Sequence, residues 1–378
     1  MDNLFCALGG GNCIGASCYY LQVDGHSFLL DCGIRSSGPA RLPRLSLVTD
    51  EYLDGLWQLD QVIISHAHMD HIGGLPYIDE GRDLSILCNP VTQTLTELQL
   101  RCFDSMAALL PSDRQRQAYE ARKERVLSML RPQGFGKAYT ADDYAVTLFP
   151  AGHIPGAAMT YIETSGHHIL YTGDFSGQRE LLCGSYHLPE DLPVDLLIIE
   201  GTHAYAKDSS QQGYWNIENC VVHQLQQGHT VTLETTNFTK GIELARYLSV
   251  SLKDAPCSCT GIYLDSGMAP IAAAFEAAGY QVYTQRIRPL LNPYDIGMRA
   301  VVIKKGHQGC TYGTVLNGDA FTLHADCRTL IRFINRIQAE TTLIVHAQPS
   351  GDSPLIENLD IGDKACVQTV DGMTYLFS

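Results

Sequence analysis

Residues 62 to 76 run Val-Ile-Ile-Ser-His-Ala-His-Met-Asp-His-Ile-Gly-Gly-Leu-Pro, and four metal-competent side chains, His66, His68, Asp70 and His71, follow directly on an apolar, β-branched stretch. Imidazoles two positions apart on an extended loop point the same way and can share one cation, while Asp70 and His71, past the bend, can reach a second. That is the outline of a dinuclear metal site. Mixed imidazole and carboxylate donors suit two Zn2+, with Mn2+ as the alternative. Two such ions about 3.5 to 4 Å apart lower the pKa of a water into the neutral range and stabilise both oxygens of an in-line displacement at phosphorus.

The elements around this loop must hold it still. Val62 to Ile64 reads as a buried strand with the polar residues in the loop at its end, and a helix from near Ile72 fixes the far side. Two later stretches end apolar runs in the same way: Ala151-Gly152-His153-Ile154-Pro155-Gly156 and Leu170-Tyr171-Thr172-Gly173-Asp174-Phe175-Ser176. Asp31 closes the strand Ser27 to Leu30 and is placed to orient a ligand histidine through its second ring nitrogen. Further strands are expected at 4–8, 18–23, 145–149, 159–163, 168–172 and 195–199, with helices at 91–110 and 113–130, an α/β layered pattern. Gly9-Gly10-Gly11-Asn12 has the wrong spacing for a dinucleotide loop and leads into no helix.

Around residue 205 the pattern changes. Helical periodicity at 216–227, 241–252 and 269–278 alternates with strands at 230–233 and 261–264, which predicts a separate parallel-sheet lobe. Near 320 the strand-then-polar-loop pattern of the first 200 residues returns, and Leu323-His324-Ala325-Asp326 and Leu343-Ile344-Val345-His346 each carry a histidine at the end of an apolar run. The expected division is 1–204, 205–320 and 321–378, the first and last parts forming one domain.

Composition narrows the function classes. The chain of 378 residues is 45% hydrophobic, which suffices for a large core. It has no run of 18 apolar residues and no signal-peptide pattern at its start, so a soluble, unexported protein with no membrane contact is expected. The 13 cysteines are an odd number scattered through strand-like segments, which points to reduced thiols and the cytoplasm. Cys257-Ser258-Cys259 has no second pair to complete a zinc knuckle. Lys plus Arg at 26 against Asp plus Glu at 41 gives −15, which excludes nonspecific coating of nucleic acid by the whole surface but permits a local basic groove. The basic residues of the 113–130 helix read as a solvated face, and His203, His167 and His168 as surface residues.

The His-Ala-His-Met-Asp-His loop resembles the signature loop of the metallo-β-lactamase superfamily. Over nearly the whole chain, Gly15-Ala16-Ser17-Cys18, Ile198-Ile199-Glu200-Gly201-Thr202, Leu264-Asp265-Ser266 and the two late histidine motifs are similar to its β-CASP branch of nucleases. The resemblance implies an αββα sandwich with an inserted, smaller α/β lobe. It implies His66, His68 and His153 on one metal, Asp70 and His71 on the other with His346 completing it, and Asp174 as the bridge. It implies a ribonuclease cutting single-stranded RNA by a two-zinc-activated hydroxide, with Asp70, Glu200 and His324 catalytic and His324 the general acid. Lys240, Lys304 and Lys305 are expected at substrate phosphates.

The chain departs from the branch at Thr202-His203-Ala204, at His346-Ala347-Gln348 and in a shortened lobe, the losses falling between Tyr280 and Phe321. The competing expectations are a DNA nuclease, a thioester or lactone hydrolase, and a noncatalytic or partner-dependent subunit. A homo-oligomer or a partner protein would complete the lobe.

Overall fold

A computed structural model describes residues 2–35, 42–104, 106–141, 143–206, 211–306 and 310–378. The chain forms two compact units, one of Met1–Gly177, Ser185–Lys207 and His324–Ser378, the other of Gln178–Gly184 and Asp208–Leu323. The segment 178–184, which the sequence pattern places with the first unit, thus belongs to the second.

In the first unit the chain lays down β1 (Leu4–Gly9), β2 (Cys18–Val23), β3 (His26–Leu30), β4 (Gln61–Ile64), β5 (Ile86–Cys88) and β6 (Leu130–Pro132), then β7 (Ala138–Thr140), β8 (Ala145–Pro150), β9 (Ala158–Glu163), β10 (His168–Tyr171) and β11 (Leu196–Glu200). The second unit holds β12 (Val231–Thr235), β13 (Ile262–Leu264), β14 (Ile287–Pro289), β15 (Val301–Lys305) and β16 (Thr314–Asn317). The chain then returns as β17 (Thr341–Val345), β18 (Ala365–Gln368) and β19 (Thr374–Leu376).

Two seven-stranded sheets result in the first unit, ordered β19-β1-β2-β3-β4-β5-β6 and β18-β17-β11-β10-β9-β8-β7. Their facing sides share one core, in which alternate residues such as Tyr19, Leu21 and Val23 or Ile169 and Tyr171 point inward. The opposite faces of β1, β2 and β4 are also buried, which is why these strands read as continuous apolar runs rather than alternating ones. This is the αββα sandwich. Strands β10, β11 and β17 run parallel, and β8 shares their direction because two antiparallel pairings, β8 to β9 and β9 to β10, separate them. The loops after β8, β10, β11 and β17 therefore all leave one edge of that sheet.

Two helical expectations shift. The helix expected to begin near Ile72 is a single turn, Met69–Ile72, that ends there and is followed by a 3-10 turn at Leu75–Tyr77. The 91–110 helix stops at Leu98, continues as one π turn at Gln99–Phe103 and ends in a 3-10 turn at Ala107–Leu109. Its start at Pro90 is preset by the ring, and the Asn89 side chain caps the Val91 N–H.

The second unit is built on a wholly parallel five-stranded sheet ordered β14-β13-β15-β12-β16. Its long helices, Gln211–Gln226 and Phe238–Ser251, begin several residues before their apolar periodicity does, the second capped by Asn237. Strands β14 and β16 are short and flanked by Pro or Gly, whereas β15 opens on the apolar β-branched run Val301-Val302-Ile303, a strand signal that the sequence reading passes over.

Candidate metal centre

Local sterics dictate how the histidine loop folds. Ser65, the first residue past β4, is pinned by Asp31, whose Oδ1 accepts from Ser65 N at 2.7 Å and whose Oδ2 accepts from Ser65 Oγ at 2.7 Å. His68 stays extended at φ −76, ψ 147, and the chain then closes a turn through His71 N to His68 O at 2.8 Å. Only glycine fits at 33, because a Cβ there would lie 1.7 Å from the carbonyl oxygen of Asp70. Gly173, at φ +52 beside Asp174, has Ser65 Cβ 2.6 Å from where its own would be.

These loops bring together His66, His68, Asp70, His71, His153, Asp174 and His346. His66 Nε2 and His153 Nε2 lie 3.1 and 3.2 Å from His68 Nδ1. Asp174 Oδ2 stands 3.7 Å from His66 Nε2, 3.9 Å from His153 Nε2 and 3.3 Å from His71 Nε2, and its Oδ1 is 2.9 Å from His346 Nδ1. Asp70 Oδ2 lies 3.9 Å from His71 Nε2 and 3.5 Å from His346 Nε2. Donor atoms converge in three overlapping sets: His66, His68, His153 and Asp174; Asp70, His71 and His346; and Asp174, Glu200, His324 and His346. Asp174 and His346 are shared between sets, as a bridging position requires.

The donors fit metal ions on grounds of this structure. Three imidazole nitrogens crowd to hydrogen-bonding distance beside the Asp174 carboxylate, an arrangement a cation satisfies by taking their lone pairs. The Nε2 of His346 is buried and makes no hydrogen bond. Among the described residues, the ion pairs of Asp31, Asp70 and Asp174 involve only histidines, so these acidic groups have no lysine or arginine beside them.

The electrostatics agree. Burial, reinforced by neighbouring imidazoles, holds His66 well below the usual histidine value, and burial, against the pull of Asp70, takes His68 down to about 4. Both therefore present neutral ring nitrogens. Burial also opposes charge on His71 and His346, but Asp174 with Asp31 raises the first well above its usual value, and Asp174 with Asp70 raises the second to about 10. Burial would raise Asp174, yet His346 and His71 hold it well below the carboxylate range. Protonated histidines occupy the electrostatic role that a metal cation takes over, releasing protons as it binds.

Asp31 Oδ2 also accepts from His71 Nδ1 at 2.7 Å, which fixes the tautomer that leaves Nε2 facing the other donors. Glu200, fully buried, accepts Phe175 N on Oε1 at 2.9 Å and a close hydroxyl bond from Thr202 on Oε2. The same Oε2 lies 2.9 Å from His324 Nδ1. His324 keeps 21% of its side-chain surface exposed. Burial pulls its pKa down, but Glu200 and Asp174 outweigh that and raise it. Its ring stands 4.6 Å from that of His153.

Other expected positions lie elsewhere. Lys240, Lys304 and Lys305 belong to the second unit. Lys304, expected at a phosphate, is 1% exposed and paired with Glu234 at 3.2 Å, because it points into the lobe from an interior strand. Lys240 pairs with Asp319 at 3.4 Å and lies over Phe321, and Lys305 lies over Phe238. His167 and His168 sit at a hairpin, against Asp24 and Asp195. His203, expected at the surface, is half-buried, with its ring 6.2 Å from that of His324. Sequence reasoning also passes over Tyr171, whose hydroxyl donates to Asp31 at 2.6 Å; a hydroxyl ending the apolar run Ile169-Leu170-Tyr171 is the available signal.

A family model described as the metallo-beta-lactamase superfamily matches residues 11–216. Among curated proteins, "Endoribonuclease ysh1" of Aspergillus fumigatus is 30% identical over 204 residues, 52% of this chain and 23% of that protein. "Endoribonuclease YSH1" of Saccharomyces cerevisiae is 32% identical over 215 residues, covering 53% and 26%. "Cleavage and polyadenylation specificity factor 73" of Drosophila melanogaster is 31% identical over 210 residues, covering 54% and 30%. The matched part thus spans about a quarter of the length of these relatives. A solved structure of a protein of unknown function from Enterococcus faecalis V583 has the same fold over 100% of both chains, with a TM-score of 0.62 at 13% identity. Among the described residues no helix is long and apolar enough to cross a membrane.

Proposed function

This chain belongs to the metallo-β-lactamase superfamily, and from that premise we propose that it is a metal-dependent ribonuclease of the β-CASP branch that cleaves phosphodiester bonds of single-stranded RNA. His66, His68, His153 and Asp174 would hold one Zn2+, and Asp70, His71 and His346, with Asp174 beside them, would hold the other. When bound, the ions supply Lewis acidity, activating the attacking water and neutralising charge at phosphorus. The relatives named endoribonucleases support RNA over DNA as the polymer and internal cleavage as the mode.

The observation that carries this reading is the Glu200–His324 dyad beside the metal-binding cluster. Breaking a phosphodiester expels a poor alkoxide leaving group, so a proton donor must stand next to the metals. Glu200 accepts from Nδ1 of His324 at 2.9 Å, which orients the ring, favours its charged form and directs Nε2 to the departing O3′. Phe175 N and Thr202 Oγ1 hold the Glu200 carboxylate in turn, and Asp31 holds His71. Asp70, on the one-turn helix and against His71 and His346, sets the partly exposed side of the cluster where substrate enters.

All 13 cysteines are free thiols, which supports a reducing compartment such as the cytoplasm. A second copy or a partner protein completes the shortened lobe, and native mass measurement tests that. The deciding assay is cleavage of end-labelled single-stranded RNA and DNA of one sequence by zinc- or manganese-loaded protein, alongside Asp70→Ala and His324→Ala. RNA cleavage lost in both variants supports the reading. Metal-replete protein that cuts neither polymer, or that hydrolyses thioesters or lactones instead, overturns it.

A further inference from the structure

Two residues at the metal centre hold backbone conformations that side-chain-bearing residues avoid: Asp31 at φ +57 and His346 at φ +49. Such conformations persist where their surroundings over-determine them. Different contacts hold the two, and each set leads to a buried tyrosine. The Asp31 carboxylate is fully buried and takes four hydrogen bonds: from Ser65 N, Ser65 Oγ, His71 Nδ1 and, at 2.6 Å, the hydroxyl of Tyr171 on β10. The backbone N–H of His346 donates to the carbonyl of Gly10 at 2.5 Å, and the hydroxyl of Tyr19 on β2 donates to the same carbonyl at 3.1 Å.

The two tyrosines come from opposite sheets and touch. Their rings meet edge to face at 5.7 Å and 73°, and both are fully buried in the core between the sheets. A Cβ on Gly10 would stand 2.9 Å from the Tyr19 hydroxyl oxygen, so that carbonyl is clamped between its own backbone and the tyrosine. Each contact stands one link from a ligand of one donor set: Tyr171 reaches His71 through Asp31, and Tyr19 reaches His346 through Gly10. Tyr171 reaches His66 only one link further on, through Asp31 and the Ser65 hydroxyl, which lies 3.1 Å from His66 Nδ1. Neither hydroxyl bonds to His66, His68 or His153.

We infer that Tyr19 and Tyr171 act as one brace, positioning the Asp70–His71–His346 group and thereby setting its metal affinity more strongly than that of the His66–His68–His153 group, which only Tyr171 reaches and only at one link further. The inference rests on the metal-centre reading above. The two are positioning residues, since neither touches a donor atom of the cluster directly. Groups that orient ligands from behind are worth about 10- to 100-fold in metal affinity, and a brace one bond further out should reach the lower end of that range.

The test uses the full chain loaded with zinc or cobalt, followed by chelator competition and the visible spectrum of the cobalt form. The variants are Tyr171→Phe, Tyr19→Phe and, as a control, Tyr161→Phe, whose hydroxyl donates to Pro193 O away from the cluster. In the Tyr171 and Tyr19 variants the equivalent held by Asp70, His71 and His346 should bind about tenfold more weakly, with the larger change in cobalt spectrum falling on that equivalent. The other equivalent should weaken less, and Tyr161→Phe should match wild type on both. A merely structural role would weaken both equivalents equally or lower only the melting temperature, and that result overturns the brace. So does wild-type affinity for both metals in the two variants. A wild-type protein that binds fewer than two metals overturns the metal-centre reading itself, a failure visible before any variant is measured.

Discussion

Replacing His324 is the sharpest probe of the chemistry, because Glu200 orients that side chain beside the metal-binding cluster. General acid catalysis contributes about 10²- to 10⁴-fold, so His324→Ala should raise the barrier by about 2.7 to 5.5 kcal/mol on RNA. Glu200→Gln keeps a hydrogen-bond acceptor at 2.9 Å from Nδ1 but removes its charge. A hydrogen bond to a charged group is worth about 1.5 to 3 kcal/mol against about 1 for a neutral one, so the loss should be roughly tenfold. Glu200 acts through His324, and the double variant should therefore be no slower than His324→Ala alone. The sign of the pH effect follows from the raised pKa of His324. Glu200 and Asp174 keep it protonated above the ordinary histidine value, so wild-type activity declines only past that raised point, and Glu200→Gln should move the alkaline limb to lower pH. Single-turnover cleavage of RNA is compared with hydrolysis of a nitrophenyl phosphodiester, whose leaving group departs without a proton. The His324→Ala defect should shrink to less than about tenfold on the activated ester. Equal losses on both substrates would refute the reasoning and place His324 with Glu200, Asp174 and His346 as a metal ligand instead.

Gly33→Ala should cost about 3 kcal/mol or more and release the metal held by Asp70, since the new methyl would lie 1.7 Å from the Asp70 carbonyl; denaturant unfolding and metal content check this together. Free zinc at a hundred times its dissociation constant should stabilise the first unit by about 2.7 kcal/mol per site, read as a chelator-reversible rise in melting temperature. In the second unit, burial raises the Glu243 carboxyl despite its bonds to Leu181 N and Leu182 N. The folded state therefore keeps that proton to higher pH than the unfolded chain does, and its contribution to stability is complete below the unfolded value and lost as pH rises through the raised one. Melting curves of wild type and Glu243→Gln between about pH 4 and 7 should show that decline in the wild type only, and parallel curves would contradict it.

The metal-competent residues are legible because each ends an apolar run, where a polar side chain has no other reason to be. His66, His153, Asp174 and His346 share that pattern, and the structure gathers all four. The groups behind them are not. Tyr19 and Tyr171 read as ordinary strand aromatics until β2 and β10 are brought face to face, a juxtaposition of residues 152 positions apart that no local pattern carries. His203 lacks any periodicity to distinguish it from a solvated histidine, although its ring lies near that of His324. In the second unit the long helices are visible by their period and β15 by its run Val301-Val302-Ile303, while β14 and β16 are hidden by length and by breakers and exist because the parallel sheet supplies their partners. Lys304 looks like a solvent-facing cation because a buried lysine is rare, and only the pairing with Glu234 makes its position intelligible.

His346 follows β17, a strand seated between β11 and β18 near the end of the sheet order. During vectorial synthesis the His66–His71 loop leaves the ribosome early, the His153 and Asp174 loops follow, then most of the second unit, and only then does β17 arrive to dock beside β11. A nascent chain can thus assemble the His66–His68–His153–Asp174 set well before the Asp70–His71–His346 set is complete. Chain order therefore orders the two sets: the first can gather before the last strands are made, and the second only once β17 is in place.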